Sequence, residues 1–258
     1  MESNIPATIS ATRLLLAQEQ HYFTPALLGA LMRLGRQPAY RLTERMVQDG
    51  LAAKVEKGKY LLLGLAPEQV LSNPLFIANQ LVTPGYISYW SALHHYGLTT
   101  QAPQTVFCAT TRKKPPITFQ GFYFRYVLIK PHKFFGYRRE TIGGLPVLIA
   151  DPAKTIVDCL DQPRYSGGLS EIAQALRSGL PDLDLELLAE YAIRMQDKSL
   201  SSRLGYLLET LGRPSAGLPV SLGPVALDPE RPRAGSLEAR WNIVVNAPAD
   251  ELFPAGVG

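Results

Sequence analysis

The sequence predicts an α+β protein: a small helical module closed by a hairpin, followed by a larger mixed α/β domain. Three observations carry this expectation. Helix signals in the first 50 residues lead into a lysine-bearing hairpin, short aromatic and β-branched strands follow residue 100, and helices follow residue 150. Strands grouped ahead of helices, rather than alternating with them, favour α+β over a doubly wound parallel sheet. With 258 residues, 46% of them hydrophobic, the chain has ample material for a core. Its composition excludes disorder throughout, collagen and a coiled coil.

The first helix is expected over residues 10–20, with Leu14, Leu15 and Leu16 supplying its apolar side. Thr24 can cap a second helix whose first position is Pro25, where a missing N–H costs nothing. Phe23 and Leu28 have the spacing of a hydrophobic staple, and Gly35 ends this helix. Pro38 opens a third helix that runs to Asp49, with Gly50 as its stop. The pair has helix-turn-helix spacing. Residues 51–55 and 59–63 then flank Glu56-Lys57-Gly58 as a hairpin. The expectation for residues 1–66 is therefore a winged helix-turn-helix.

At 100° per residue, Ala39, Leu42, Thr43 and Met46 share one face of the third helix. Gln37, Arg41, Glu44, Arg45 and Gln48 point the other way, with Tyr40 on the flank. Such a helix suits a DNA major groove, where arginine offers two donors to guanine and glutamine pairs with adenine. Lys54, Lys57 and Lys59 on the hairpin would neutralise phosphates and set register. The alternatives are a winged helix used for protein contacts, or a charged face that is merely solvated.

Charge distribution supports a polyanion partner for the front of the chain. The net charge is +4, but the first 150 residues carry +9 and the remainder −5. Random scatter over a solvated surface is the competing account.

Residues 67–258 are expected to form the second domain. A linker at 65–74 precedes helices at 75–82 and 88–96, separated by Pro84-Gly85. Strands follow at 105–109, 117–119, 122–129, 137–141 and 145–150, then helices at 151–160, 169–177, 183–196 and 200–211. Arg112, Lys113 and Lys114 fall on an expected hairpin tip between the first two strands. With Lys130, Lys133, Arg138 and Arg139, they form a candidate second basic patch. Tyr123, Tyr126, Phe134, Phe135 and Tyr137 interleave with it, although aromatics in strands more often serve the core. The Gly- and Pro-rich tail after Arg213 reads as loops around strands near 225–227 and 241–245, wrapping the second domain and fraying over 254–258.

Residues 69–111 contain no Asp, Glu, Lys or Arg, yet Asn, Pro, Gly and His interrupt the run too often for a membrane span. Buried core helices are the expected use, and no membrane is expected as a partner. Two cysteines, Cys108 and Cys159, cannot build a disulfide framework, and the first ten residues lack the pattern of a signal peptide; a cytoplasmic location fits both.

No catalytic site, metal or cofactor is expected. The phosphate-cradling GxxxxGK[ST] pattern does not occur, and Gly168-Leu169-Ser170-Glu171-Ile172 lacks the last glycine of a nucleophile elbow. His94 and His95 lie about 100° apart on a helix, poorly placed to share a metal, and read as core or interfacial residues. Asp151, Lys154 and Asp158 share a helix face and could be imagined as a nuclease-like metal site. Asp151 as a cap, with Lys154 paired to Asp158, accounts for them more simply.

Several ordered motifs carry a family resemblance. Gly85-Tyr86-Ile87-Ser88-Tyr89-Trp90-Ser91-Ala92-Leu93-His94-His95-Tyr96-Gly97-Leu98 resembles the signature of the AbiE-type abortive-infection antitoxins. Lys133-Phe134-Phe135-Gly136, Ala150-Asp151-Pro152-Ala153-Lys154-Thr155-Ile156-Val157-Asp158-Cys159-Leu160, Tyr165-Ser166-Gly167-Gly168 and Arg203-Leu204-Gly205-Tyr206-Leu207-Leu208-Glu209 extend it, as does Arg240-Trp241-Asn242-Ile243-Val244-Val245-Asn246. Ala153 departs from the pattern, which commonly has an acidic residue there, so no charged role carries over to it.

The resemblance implies a bacterial antitoxin of a type IV toxin–antitoxin system that binds double-stranded promoter DNA and represses its own operon. It also implies a nucleotidyltransferase toxin that modifies tRNA, usually encoded next door and opposed without need of a stable complex. A free-standing transcription regulator, or a nucleic-acid-processing enzyme, remain the alternatives.

Overall fold

The computed structural model describes residues 5–215 and 217–254; of the expected frayed end at 254–258, all but Pro254 lies outside them. Two compact units emerge. The first runs to Thr83 and takes in Thr118–Phe122 and Thr141–Val147; the second holds Pro84–Ile117, Tyr123–Glu140 and the chain from Leu148 onward.

The first unit opens with α1 (Ala7–Ala17), displaced by three residues from expectation at each end. Pro6 is its N-cap, and Glu19, with φ +51, turns the chain just beyond its end. Only Leu15 of the leucine triplet is buried, while Leu16 is exposed, because successive residues on a helix diverge by 100°. The short strand β1 (Tyr22–Phe23) carries no signal in the sequence.

Helix α2 (Pro25–Met32) is capped by the Thr24 hydroxyl, which accepts from Leu27 N at 3.2 Å. It stops before Gly35 because Arg33 takes a left-handed conformation, φ 55 and ψ 40. Gly35 instead caps α3 (Arg36–Gln48), which starts two residues ahead of Pro38. Proline is tolerated there because first-turn N–H groups have no intrahelical acceptor.

Gly50 closes α3 as expected: at φ +71 it lets Leu51 N donate to Met46 O at 2.8 Å. Strands β2 (Ala52–Glu56) and β3 (Lys59–Leu62) form the expected hairpin, and β1 adds to β3, giving the order β1-β3-β2. Ala11, Leu15, Phe23, Leu28, Met46 and Leu62 are among the core residues of this unit. Part of the expected linker is helical: α4 (Pro67–Leu71) and α5 (Pro74–Gln80) each begin on a proline. Asn73 caps α5 by accepting from Phe76 N at 3.0 Å.

The chain then forms β4 (Gly85–Ile87), α6 (Tyr89–His95), β5 (Thr105–Thr110), β6 (Ile117–Phe119), β7 (Phe122–Leu128), β8 (Tyr137–Ile142) and β9 (Leu145–Ala150), with most of β6 and parts of β7, β8 and β9 grouped with the first unit. Their sheet order is β6-β7-β5-β4-β9-β8. Strand β4 is antiparallel to β5 and parallel to β9, while β5 runs parallel to β7. The uncharged stretch 69–111 therefore supplies two central strands as well as helices.

Because β7 separates β5 from β6, residues 112–116 cross between strands and are not the expected hairpin tip. Helices α7 (Pro152–Asp161), α8 (Leu169–Gly179), α9 (Leu185–Arg194) and α10 (Lys198–Thr210) follow the sheet. The result is a mixed α+β fold. No helix among the described residues is long and apolar enough to cross a membrane.

The tail forms β10 (Val225–Ala226), β11 (Ser236–Glu238) and β12 (Ile243–Val245), ordered β10-β12-β11, and then α11 (Ala249–Leu252). Trp241, 3% exposed, locks this sheet to α10: its indole N–H donates to Glu209, and its ring lies over Gly205. A Cβ at position 205 would overlap that ring.

Gly205→Ala should therefore cost about 1–3 kcal/mol in urea denaturation, despite alanine's better helix propensity. A smaller side chain at Trp241 in the same protein should recover part of the loss, giving a non-additive double-mutant cycle.

Candidate functional site

Helix α7 determines the chemistry of the second unit. Every residue from Ala153 to Leu160 is buried, so Lys154 and Asp158 have no solvent on any side. They pair with each other, at 0% and 1% side-chain exposure. The other Asp158 oxygen accepts from Tyr86 Oη at 3.0 Å and Ser88 Oγ at 2.8 Å. Lys154 Nζ also lies 4.6 Å from the Phe135 ring centroid and 3.6 Å from Met195 Sδ. Burial and then the neighbouring Asp158 carboxylate push the Tyr86 phenol well up from its usual range.

Asp151 begins the helix as expected, accepting from Lys154 N at 2.8 Å. Its second oxygen accepts from Tyr191 Oη at 3.0 Å, and burial followed by Asp151 pushes that phenol up to about 12. Gly136 closes the group, its carbonyl accepting from Asp151 N at 3.0 Å. With φ +68, a side chain there would stand 2.9 Å from both Lys154 and Tyr191.

Three sequence motifs thus meet in one largely buried polar centre, although in the sequence they are legible only as separate stretches. Its carboxylates are fully occupied by donors, so the arrangement ties elements together. Among the described residues no group of three or more His, Cys, Asp or Glu is placed to hold a metal ion. His94 is exposed rather than core, while His95 Nε2 lies 3.0 Å from Glu140 Oε2. Burial works against ionisation of Glu140, but hydrogen bonds from His95, Arg138 and Tyr96 outweigh it and hold its carboxyl low.

In the first unit, α3 buries Ala39, Thr43 and Met46 and half-buries Leu42. Gln37, Tyr40, Arg41, Glu44, Arg45 and Gln48 are exposed together, with Arg36 beside them. Arg45 is 3.6 Å from Asp49, a solvent-screened contact that leaves its guanidinium accessible. Lys54 and Lys57 are exposed on the hairpin. Lys59 is more engaged, 3.4 Å from Glu56 and 5.8 Å from the Tyr22 ring centroid. The close approach of α2 and α3 depends on Gly29, where a Cβ would sit 3.1 Å from that of Ala39.

The candidate second patch divides into two groups. Arg112 follows β5 and Lys130 follows β7, at the same end of two parallel strands paired Thr110↔Leu128. Arg112 and Lys113 are exposed, whereas Lys114 is half-buried, 5.4 Å from the Tyr126 ring centroid. Lys133 is largely covered and pairs with Asp161. Arg138 and Arg139 lie on β8, the opposite edge of the sheet, and Arg138 donates to Glu140 at 2.7 Å. Two exposed arginines, Arg125 and Arg164, stand outside the patch that the sequence suggests. Both lie against Tyr165, an arrangement that no local sequence spacing announces.

Residues 86–210 match the family model for the AbiEi antitoxin C-terminal domain, which bears out the motif resemblance over that stretch. No curated protein matches the chain. The crystal structure of the RV2827C protein from Mycobacterium tuberculosis is similar in fold, with a TM-score of 0.56 at 14% identity. The match covers 94% of this chain and 92% of that one.

Breaking the buried pair should be far worse than replacing it. Lys154→Met or Asp158→Asn alone should cost about 3–5 kcal/mol in chemical denaturation, because each strands a charge in the core. The double variant Lys154→Met/Asp158→Leu should recover much of that loss, and equal losses for single and double variants would refute the pairing.

Proposed function

We propose that this chain, which carries an AbiEi antitoxin C-terminal domain over residues 86–210, is a type IV antitoxin that also represses its own operon. The family implies a toxin as the other member of the system, and we take that toxin to be a nucleotidyltransferase that modifies tRNA. The observation that carries the repressor half is the exposed polar face of α3, flanked by the lysines of the β2–β3 hairpin.

The order of α1, α2, α3 and the hairpin, with β1 as the third strand, supports a winged helix-turn-helix in residues 1–66. Residues 67–258 then act as the antitoxin domain, although α4 and α5 group by compactness with the first unit. In the major groove, Arg41 and Arg45 can each offer two donors to guanine O6 and N7, and Gln37 and Gln48 can pair with adenine. Tyr40 and Glu44 border the same surface and tune which edges fit. Lys54, Lys57 and Lys59 meet phosphates and hold the register.

The second basic surface, in its two groups, supports DNA contact or antitoxin action. The antitoxin role requires no catalysis from this chain, and the largely buried centre around α7 is read as structural. Both cysteines are free and buried thiols, which suits the cytoplasm.

Arg41→Ala should weaken binding to the protein's own upstream DNA by about 1–3 kcal/mol and relax preference at one base position. Lys54→Ala/Lys57→Ala should weaken all sequences alike and flatten the log–log salt slope by about 0.9 for each phosphate no longer neutralised. Gel shifts across a salt series separate the two, and salt-insensitive binding would defeat the groove model. For the second domain, reversing charge at Arg112, Lys113 and Lys114 should impair either repression or protection from the adjacent-gene toxin in co-expression. Unchanged repression and unchanged protection would remove that surface from function.

A further inference from the structure

Tyr165 holds two arginines at the surface of the second unit, and neither belongs to the basic groups around Lys130 and Arg138. The guanidinium carbon of Arg125 is 5.1 Å from its ring centroid and that of Arg164 is 4.7 Å. The two cations therefore lie no more than about 10 Å apart. Neither forms an ion pair among the described residues; Arg164 donates to the neutral Gln162 amide oxygen at 3.3 Å. The nearest acid in sequence, Asp161, is taken by Lys133.

Tyr165 is fixed from below by the rings of Tyr89 and Phe107, at centroid distances of 5.7 and 5.8 Å. Two like charges thus sit against one restrained aromatic ring, and together they can clamp neighbouring phosphates of one strand. Cation–π contact restrains the guanidiniums while their remaining donors stay open to solvent.

Strand β7 adds a second element. Tyr123 and Arg125 are two residues apart and so share a face of the sheet. Tyr123 is 37% exposed, leaving ring surface beside the clamp. Phosphate clamping with an adjacent open aromatic matches the chemistry of a strand whose bases are unstacked and free to lie on a ring. A duplex keeps its base faces internal, and an acidic peptide offers charge without the planar group.

We propose that Arg125, Arg164, Tyr165 and Tyr123 form a binding surface for single-stranded nucleic acid, with the arginines on phosphates and Tyr123 under a base. The surface is separate in residues and ligand from the duplex-reading face of α3, and it does not depend on that assignment.

The test uses the full chain and a fluorescein-labelled oligouridylate of roughly 12 nucleotides, read by anisotropy. Arg125→Ala/Arg164→Ala should weaken binding at least ~10-fold and flatten the log–log salt slope by about 1.4, ~0.7 for each phosphate engaged. Tyr123→Ala should weaken binding without changing the slope. Arg125→Lys/Arg164→Lys should restore the slope but only part of the affinity. Arg41→Ala/Lys57→Ala should weaken oligouridylate binding less than Arg125→Ala/Arg164→Ala does.

Unchanged affinity in the double alanine variant would overturn the proposal. So would polyglutamate competing as well as the oligonucleotide, which would identify an acidic-protein surface, or equal losses for the matching duplex.

Discussion

A helix enclosed on every side must settle its polar groups internally, and α7 does so with the pair Lys154 and Asp158. The attraction between the charges does not by itself repay their desolvation. What makes the arrangement workable is that Tyr86 and Ser88 fill the second carboxylate oxygen, while Phe135 and Met195 surround the ammonium group. Those partners come from β4 and the residue after it, the loop before β8, and the end of α9. Once the pair is buried, the sheet and the helices have little freedom to be placed otherwise. Gly136 and Asp151 extend the same constraint to the start of the helix, since the backbone there approaches too closely for a side chain.

The first unit obeys a different logic. Its core is apolar, and its defining constraint is the close approach of α2 and α3 at Gly29 and Ala39. With Ala39, Thr43 and Met46 directed inward, the long polar side chains of α3 have only solvent to face. One unit thus encloses an ion pair in its core, while the other keeps an apolar core and turns the polar side chains of α3 outward.

Legibility followed the range of the interactions. The caps at Thr24 and Asp151, the stop at Gly50 and the two faces of α3 depend on residues a few positions apart, so local reading finds them. The i,i+4 pairing of Lys154 with Asp158 was legible for the same reason, but its complete burial and its partners Tyr86 and Ser88 were not. Strands β1 and β4 are too short to show a period and exist through pairing with distant β3, β5 and β9. The helix limits shifted where single residues, Glu19 and Arg33, adopt left-handed backbone without being glycine. Arg125 and Arg164 do not stand out in the sequence because 38 intervening residues separate them, and only the fold sets both against one tyrosine.

The crossing segment at 112–116 bears on how copies of this protein can meet. A sheet edge is a template for strands of other molecules, and β6, at only three residues, is short cover for the seven-residue β7. Lys113, Lys114, Pro115 and Pro116 lead into that edge, with Lys114 against Tyr126 of β7, so an incoming strand meets positive charge and backbone that lacks donors. The far edge, β8, carries Arg138 and Arg139. Both margins are guarded against self-pairing, so copies of this protein would have to associate through other surfaces.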